Sequence, residues 1–145
     1  MVISINKHID VGEIQTAYGY PGNNIVRIAI KDRKLEKTYA TNDWILTNGH
    51  LTISETPLKQ VTPDVRAEIS WDAIKRIFSQ EITSDGSTYG FDDALRLSQM
   101  RIQSGEKTMV RAAFFFNIVF MAAAQNRNVM VELNPILGQL KEEDE

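Results

Sequence analysis

The chain has 145 residues, of which 43% are hydrophobic and 24% charged, so its composition is that of a globular protein and not of a disordered or fibrous one. It contains no cysteine, which excludes disulfides, thiolate nucleophiles and thiolate-bound zinc or iron–sulfur sites. The net charge of −3 falls mainly on the last four residues. The nearly neutral body lacks the clustered cations that duplex DNA or an anionic membrane attracts.

We expect one domain over residues 1–140, followed by a solvated acidic tail at 141–145. The length is near that of a typical domain and is sufficient to bury a core without disulfides or metals. Residues 1–11 lack the basic start and the continuous apolar run of a secretory signal, which predicts a cytoplasmic protein.

The first sixty residues predict β-strands separated by turns. Residues 2–10 and 13–20 are short mixed runs, and residues 20–24, Tyr-Pro-Gly-Asn-Asn, favour a turn. Residues 25–30 alternate as expected for a central strand, and residues 35–41 alternate as expected for a half-exposed one.

The dipeptide Asn48-Gly49 gives the clearest local signal, because it supplies the two positive φ angles of a type I′ hairpin turn. A two-residue loop places Leu46 opposite Leu51. It also places Trp44 opposite Ile53 on the same side of the ribbon, and we expect that apolar side to face the helices.

The middle of the chain is less regular. Residues 62–69 combine the Thr-Pro-Asp start of a helix with the alternation of a strand, so both interpretations stay open. Ser70 can cap a short amphipathic helix that ends near Gln80. Asp85-Gly86 permits a second tight hairpin or a flexible loop.

Two helices are predicted next. Asp92 is a candidate cap for a helix over residues 94–103, which Gly105 ends. In residues 109–124 only an arginine and an asparagine are polar, so a helix there is apolar on every side. Sixteen residues with two polar members are too short and too polar to cross about 30 Å of hydrocarbon, so we do not expect a membrane span.

The apolar helix predicts self-association. Each buried Phe contributes roughly 1.5 to 3 kcal/mol, so both faces of the helix need cover. The sheet can cover one face, and either the shorter helices or a second subunit must cover the other. We expect a homo-oligomer whose interface contains Phe114, Phe115, Phe116, Phe120 and Met121.

The pattern as a whole predicts an α+β protein. A mainly antiparallel sheet from the N-terminal half packs against a C-terminal helical layer with one long apolar helix. Residues 128–133 alternate as a last strand, and residues 136–140 can form one helical turn.

A basic stretch around residues 94–111 is the candidate ligand site. Residues 104–108 share letters with a phosphate loop, but the first glycine is missing and Glu106 interrupts the Gly-Lys pair, so they are not one. The stretch has four basic residues and Glu106 as its one acid, and the alternative interpretation is a solvated helix end. The predicted ligand-binding residues are Arg96, Arg101, Lys107, Arg111 and Asn117.

No residue is assigned to catalysis, a metal or a cofactor. His8 and His50 are too few for a typical histidine-based metal site. The carboxylates of Asp64, Glu68 and Asp72, with the pair Asp92-Asp93, could serve acid–base chemistry or bind a divalent metal, although helix starts favour acids for dipole reasons alone. The chain lacks the nucleophile-elbow, zinc-protease and dinucleotide motifs.

We therefore predict a non-catalytic homo-oligomeric binding protein that engages a protein partner or a small anionic, nucleotide-like ligand near the long helix. Two alternatives remain open. One is a structural assembly subunit of a larger particle. The other is a small carboxylate-dependent hydrolase or transferase, which requires acidic residues gathered in one concave pocket.

Overall fold

The computed structural model describes residues 2–4, 24–47, 50–103, 115–121 and 126, with the backbone alone described at 2–4 and 117–119. Within these residues one sheet is accompanied by short helices. The strands are β1 (Val2–Ser4), β2 (Asn24–Lys31), β3 (Thr38–Thr47), β4 (His50–Ser54), β5 (Val65–Ser70) and β6 (Met100–Gln103). The helices are α1 (Trp71–Phe78), α2 (Phe91–Arg96) and a π-helix (Phe115–Phe120).

The strands lie in the order β1-β4-β3-β2-β5-β6. Neighbouring strands are antiparallel, except that β2 and β5 are parallel. Strands β2, β3 and β4 form an antiparallel meander, and the connection to β5 crosses back to the free side of β2. The mixed sheet with its helices confirms the α+β class.

The predicted hairpin register is confirmed. Leu46 pairs with Leu51 and Trp44 pairs with Ile53 in the β3–β4 ladder. The predicted strand at 35–41 and the first arm of the hairpin belong to one strand, β3, which begins at Thr38 because the turn after β2 extends to residue 37. The turn dipeptide Asn48-Gly49 itself lies outside the described residues.

Strand β2 is central, as its alternation predicts. Its even-numbered residues are buried, whereas its odd-numbered residues are half-buried. Val26, Ile28 and Ile30 point to the core, so this face of the sheet, the buried face, carries the helices.

The ambiguous stretch before Ser70 is a strand. Val65, Ala67 and Ile69 are buried on β5, which runs directly into α1. Ser70 keeps an extended backbone, and its Oγ accepts a hydrogen bond from the N–H of Ala73 at 3.0 Å. This confirms Ser70 as the helix cap.

The predicted helix over residues 94–103 is wrong. Helix α2 ends at Arg96, Ser98 has a φ of 59°, and residues 100–103 form β6. Met100 is buried opposite Ile69, so pairing with the edge of β5 overrides local helix propensity. The sheet therefore includes a strand from the second half of the chain.

The predicted cap at Asp92 is also wrong. Gly90 precedes the first helical residue, and its N–H donates to the Asp93 carboxylate at 2.9 Å. Asp92 thus lies inside the first turn of α2, and it is Asp93 that bonds back to the start of the helix.

Several predictions concern residues outside the described part of the chain. They are the strands at 5–10, 13–20 and 128–133, the turn at 20–23 and the helical turn at 136–140. Within the predicted apolar helix at 109–124, the described residues 115–121 are helical. Among the described residues, no helix reaches the length and hydropathy needed to span a membrane.

Candidate functional site

Six aromatic rings gather on the buried face of the sheet, and we call them the aromatic cluster. They come from four elements that are distant in sequence: strand β3, the last residue of α1, the first residue of α2, and the π-helix. Contacting rings have centroids 4.8 to 6.2 Å apart, which is the range of favourable aromatic pairs. The members are Trp44, Phe78, Phe91, Phe115, Phe116 and Phe120.

Phe120 is the centre of the aromatic cluster. Its ring stacks on Trp44 with centroids 4.8 Å apart and on Phe78 with centroids 5.4 Å apart. It meets Phe91 edge to face at 5.0 Å and an interplanar angle of 88°. One side chain therefore joins the sheet to both short helices.

The π-helix explains how consecutive phenylalanines reach the same core. Its i→i+5 hydrogen bonds widen the turn, so residues five apart lie one turn from each other. Phe115 and Phe120 are such a pair, with ring centroids 6.1 Å apart. Phe116 contacts both of these rings and also Phe91.

The predicted oligomer interface rested on phenylalanines whose second face had to be covered either by the shorter helices or by a second subunit. Phe115, Phe116 and Phe120 are only 0%, 2% and 3% exposed within a single chain. The need for a second subunit therefore does not apply to these three side chains. Met121 is half-buried against the core, and Phe114 lies outside the described residues. Self-association stays a prediction.

Among the described residues, several buried polar atoms have no hydrogen-bond partner. They are the amide of Asn24, the Nε1 of Trp71, the hydroxyl of Tyr89 and the Oε1 of Gln99. Asn24 is fully buried at the start of β2, two residues before the core residue Val26. A buried polar group without a partner costs about 1 to 3 kcal/mol, so a ligand that supplies a partner would gain affinity.

A cavity of about 330 Å³ lies beside Tyr89. Tyr89 belongs both to the buried core and to the wall of this cavity. The guanidinium carbon of Arg76 lies 5.6 Å from the centre of the Tyr89 ring. Ile82 and Leu97, two of the exposed large apolar residues, also line the cavity. We call this space the Tyr89 cavity.

The charges around the Tyr89 cavity balance. Arg76 is paired with Glu81 at 3.5 Å, and Arg96 is paired with Asp93 at 3.2 Å. Burial raises the pKa of Tyr89 above its ordinary value, so the hydroxyl is a neutral donor at neutral pH. The cavity therefore suits an uncharged polar group next to an apolar body.

The structure separates the residues of the predicted anion site. Arg96 lines the Tyr89 cavity, whereas Arg101 lies on β6 and bonds Glu68 at 3.3 Å and the carbonyl of Leu35 at 3.1 Å. Lys107, Arg111 and the side chain of Asn117 lie outside the described residues. Arg96 and Arg101 thus belong to two different surfaces.

The carboxylates weighed for catalysis engage different partners. Asp64 accepts the N–H of Ile25 at 2.8 Å, and Asp72 pairs with Arg76 at 3.2 Å. Glu68 pairs with Lys31 on the sheet. In the described part of the chain, no group of three or more histidine and acidic side chains is placed to hold a metal ion.

Sequence reasoning missed Tyr89 and Phe91, although both contribute to the site. They flank Gly90, the residue directly before α2. A glycine at that position indicates only weakly that a loop ends and a helix begins there. Asn24 was assigned to a turn, yet it is the first residue of the central strand. Neither its burial nor its lack of a partner can be deduced from local sequence.

No family model matches the chain, and no curated protein sequence matches it. Solved structures do share its fold. Sterol carrier protein 2 from Yarrowia lipolytica, in its apo form, has a TM-score of 0.51 at 13% identity over 81% of this chain and 79% of that one. The UbiJ-SCP2 ubiquinone synthesis protein has a TM-score of 0.51 at 7% identity over 83% of this chain and 89% of that one.

A third structure with this fold is a conserved hypothetical protein from Thermus thermophilus, described as a possible sterol carrier protein. Its TM-score is 0.50 at 11% identity, over 81% of this chain and 76% of that one. Identities this low establish the fold alone. The chain therefore has the fold of sterol carrier protein 2.

Proposed function

We propose that this chain is a non-catalytic binding protein for an apolar, lipid-class ligand with an uncharged polar end. The ligand's apolar body packs against Phe78, the half-buried member of the aromatic cluster, and its polar end reaches the Tyr89 cavity. The observation that carries the proposal is that Tyr89, whose buried hydroxyl has no hydrogen-bond partner, also lines a cavity.

The chemistry of the core supports an apolar body. Ligand sites of proteins are mainly apolar and aromatic, with a few polar groups that fix orientation. The aromatic cluster provides rings from the sheet and the helices, and Phe78 is its half-buried member. The fold shared with sterol carrier protein 2 structures agrees with this choice of ligand class.

The polar end is assigned to an uncharged hydroxyl or carbonyl. Arg76 and Arg96 already have carboxylate partners, so the Tyr89 cavity offers no unbalanced charge to an ion. The Tyr89 hydroxyl can donate one hydrogen bond and accept another. A sterol or a long-chain alcohol has this combination of polar and apolar parts.

The test compares a sterol with the same ring system lacking the hydroxyl. In the variant Tyr89→Phe, we expect affinity for the sterol to fall about fivefold, as one neutral hydrogen bond contributes about 1 kcal/mol. Affinity for the hydrocarbon should not change. Tyr39→Phe is the matched control, because Tyr39 lies half-buried on β3, away from the Tyr89 cavity.

Two results would contradict the assignment. If Tyr89→Phe lowers affinity for both compounds equally, the side chain acts through packing. If neither compound binds the folded wild-type protein, the ligand class is wrong.

Self-association and a cytoplasmic location remain proposals of their own. The structure accounts for the burial of Phe115, Phe116 and Phe120 within one chain, so these three side chains do not require a dimer. Light scattering of the purified chain separates a monomeric carrier from the homo-oligomer and from a subunit of a larger assembly.

A further inference from the structure

We propose a second binding site on the other face of the sheet, where a groove of about 240 Å³ binds a phosphate group with Arg66 as its principal ligand. We call it the basic groove. It lies over strands β2, β3, β5 and β6, and Arg27, Ala29, Lys31, Arg66, Glu68 and Gln103 are among its lining residues.

Arg27 has its charge fully compensated. Its Nε and one terminal nitrogen donate to the two Asp43 oxygens at 2.8 and 3.0 Å. The Asp43 side chain is 0% exposed, and it also accepts the N–H of Leu58 at 2.7 Å. This ion pair forms one wall of the basic groove, and its net charge is zero.

Glu68 is shared by two cations. It contacts Lys31 from β2 and pairs with Arg101 from β6 at 3.3 Å. One carboxylate therefore faces two positive side chains, and this part of the sheet keeps a net charge of about +1.

Neither of the residues directly opposite Arg66 on the two neighbouring strands is acidic. It lies directly opposite Arg27 on β2 and Gln103 on β6. Among the described residues no ion pair or hydrogen bond engages its side chain, which is exposed. Because Asp43 already neutralises Arg27, the guanidinium of Arg66 is the cation in this groove without a carboxylate partner among the described residues, and an anion bound there would supply one.

The small residues of the basic groove leave space for that anion. Ala29 lies between Arg27 and Lys31 along β2 and is opposite Thr41 on β3. Thr38 and Thr41 line the same groove, and a threonine hydroxyl can donate to a phosphate oxygen. A guanidinium fork with nearby hydroxyls is the arrangement that recognises a phosphate group.

This groove differs from the basic stretch expected at residues 94–111. Strand pairing brings Arg27, Lys31, Arg66 and Arg101 together from three strands, whereas Asp43 and Glu68 are the acids they contact. Four cations against two acids give a local charge of +2 on a chain whose net charge is −3.

A phosphate group can come from a free metabolite or from a lipid headgroup, and two arms of one experiment distinguish them. The first arm is calorimetric titration of the chain with pyrophosphate at low ionic strength. The second arm is co-sedimentation with phosphatidic acid vesicles, compared with phosphatidylcholine vesicles.

The variants are Arg66→Gln and, as the matched control, Arg33→Gln. Arg33 is an exposed arginine that pairs with Asp72 at 3.4 Å and does not line the basic groove. We expect Arg66→Gln to weaken binding at least about tenfold, because a charge-assisted pair is replaced by a neutral one. Arg33→Gln should bind as the wild type does, and both variants should keep the wild-type melting temperature.

Pyrophosphate binding without vesicle binding supports a free phosphate ligand. Binding to phosphatidic acid vesicles that Arg66→Gln abolishes supports a headgroup. Absence of binding in both arms overturns the proposal, and so does binding that Arg33→Gln weakens as much as Arg66→Gln.

Discussion

The ring of Phe120 lies on the indole of Trp44, with centroids 4.8 Å apart and planes 30° from parallel. Trp44 belongs to a central strand and Phe120 to the π-helix, so residues 76 positions apart form one stacked pair. This contact fixes the π-helix on the buried face and makes it part of the candidate ligand site.

Phe120→Ala should destabilise the fold strongly. The substitution removes the contacts with Trp44, Phe78 and Phe91 and leaves a cavity, which costs about 3 to 5 kcal/mol. Urea denaturation followed by circular dichroism measures the free energy of unfolding. Leu95→Ala is the control, since this exposed residue should change that free energy by about 0.5 kcal/mol or less. A similar small change for Phe120→Ala would show that the aromatic cluster is not part of the folded core.

Asn24→Leu should stabilise the ligand-free protein. The Asn24 amide is fully buried without a hydrogen-bond partner, and a leucine of similar shape removes a desolvation cost of about 1 to 3 kcal/mol. Asn42→Leu is the matched control, because the buried Asn42 amide donates to the carbonyl of Glu55 at 2.9 Å and its loss should destabilise. Thermal unfolding should show a higher melting temperature for Asn24→Leu and a lower one for Asn42→Leu than for the wild type. Destabilisation by Asn24→Leu would contradict the conclusion that the Asn24 amide has no hydrogen-bond partner.

Asp43→Ala should be among the most damaging substitutions of a charged residue. Asp43 is buried and accepts hydrogen bonds from the guanidinium of Arg27 and from the N–H of Leu58. Its removal therefore leaves the largely buried Arg27 cation without a carboxylate partner. Breaking a buried pair from one side costs about 3 to 5 kcal/mol. The control is Asp72→Ala, whose more exposed pairs with Arg33 and Arg76 contribute about 1 kcal/mol or less. Equal effects in chemical denaturation would contradict the buried role of Asp43.

Tyr89 should make stability fall at high pH. Burial raises its pKa in the folded chain above the ordinary value of 10.0, so the folded state holds the proton more tightly than the unfolded state. Its contribution is complete below pH 10.0 and is lost as the pH rises through the folded-state pKa. The unfolding free energy of the wild type should therefore fall relative to that of Tyr89→Phe as the pH rises above 10.0. A difference that stays constant would show that Tyr89 titrates like an exposed tyrosine.

Local signals were sufficient for part of the fold. Asn48-Gly49 predicted the hairpin because turn geometry and register depend on a few adjacent residues. Ser70 was identified as a cap for the same reason, since its bond to Ala73 spans three residues. The alternation of β2 indicated a central strand because both of its faces are covered to different degrees.

The features that could not be predicted from the sequence depend on contacts between residues distant along the chain. Residues 100–103 are too few to separate a strand from the end of a helix, and only the edge of β5 makes them β6. The like-charged neighbours Arg27 and Arg66 meet through the parallel pairing of β2 and β5, which leaves no trace in either strand alone. The Tyr89 hydroxyl is unpartnered only because of what surrounds it after folding.

Direct titration of the delipidated chain with a fluorescent sterol tests the lipid-binding proposal most directly. The Trp71→Phe variant keeps Trp44 as its one tryptophan, and Trp44 lies in the aromatic cluster. In this variant, bound sterol should quench the fluorescence of Trp44 by energy transfer, and the quenching should saturate at one sterol molecule per chain. A folded chain that shows no saturable transfer at any accessible sterol concentration would contradict the account.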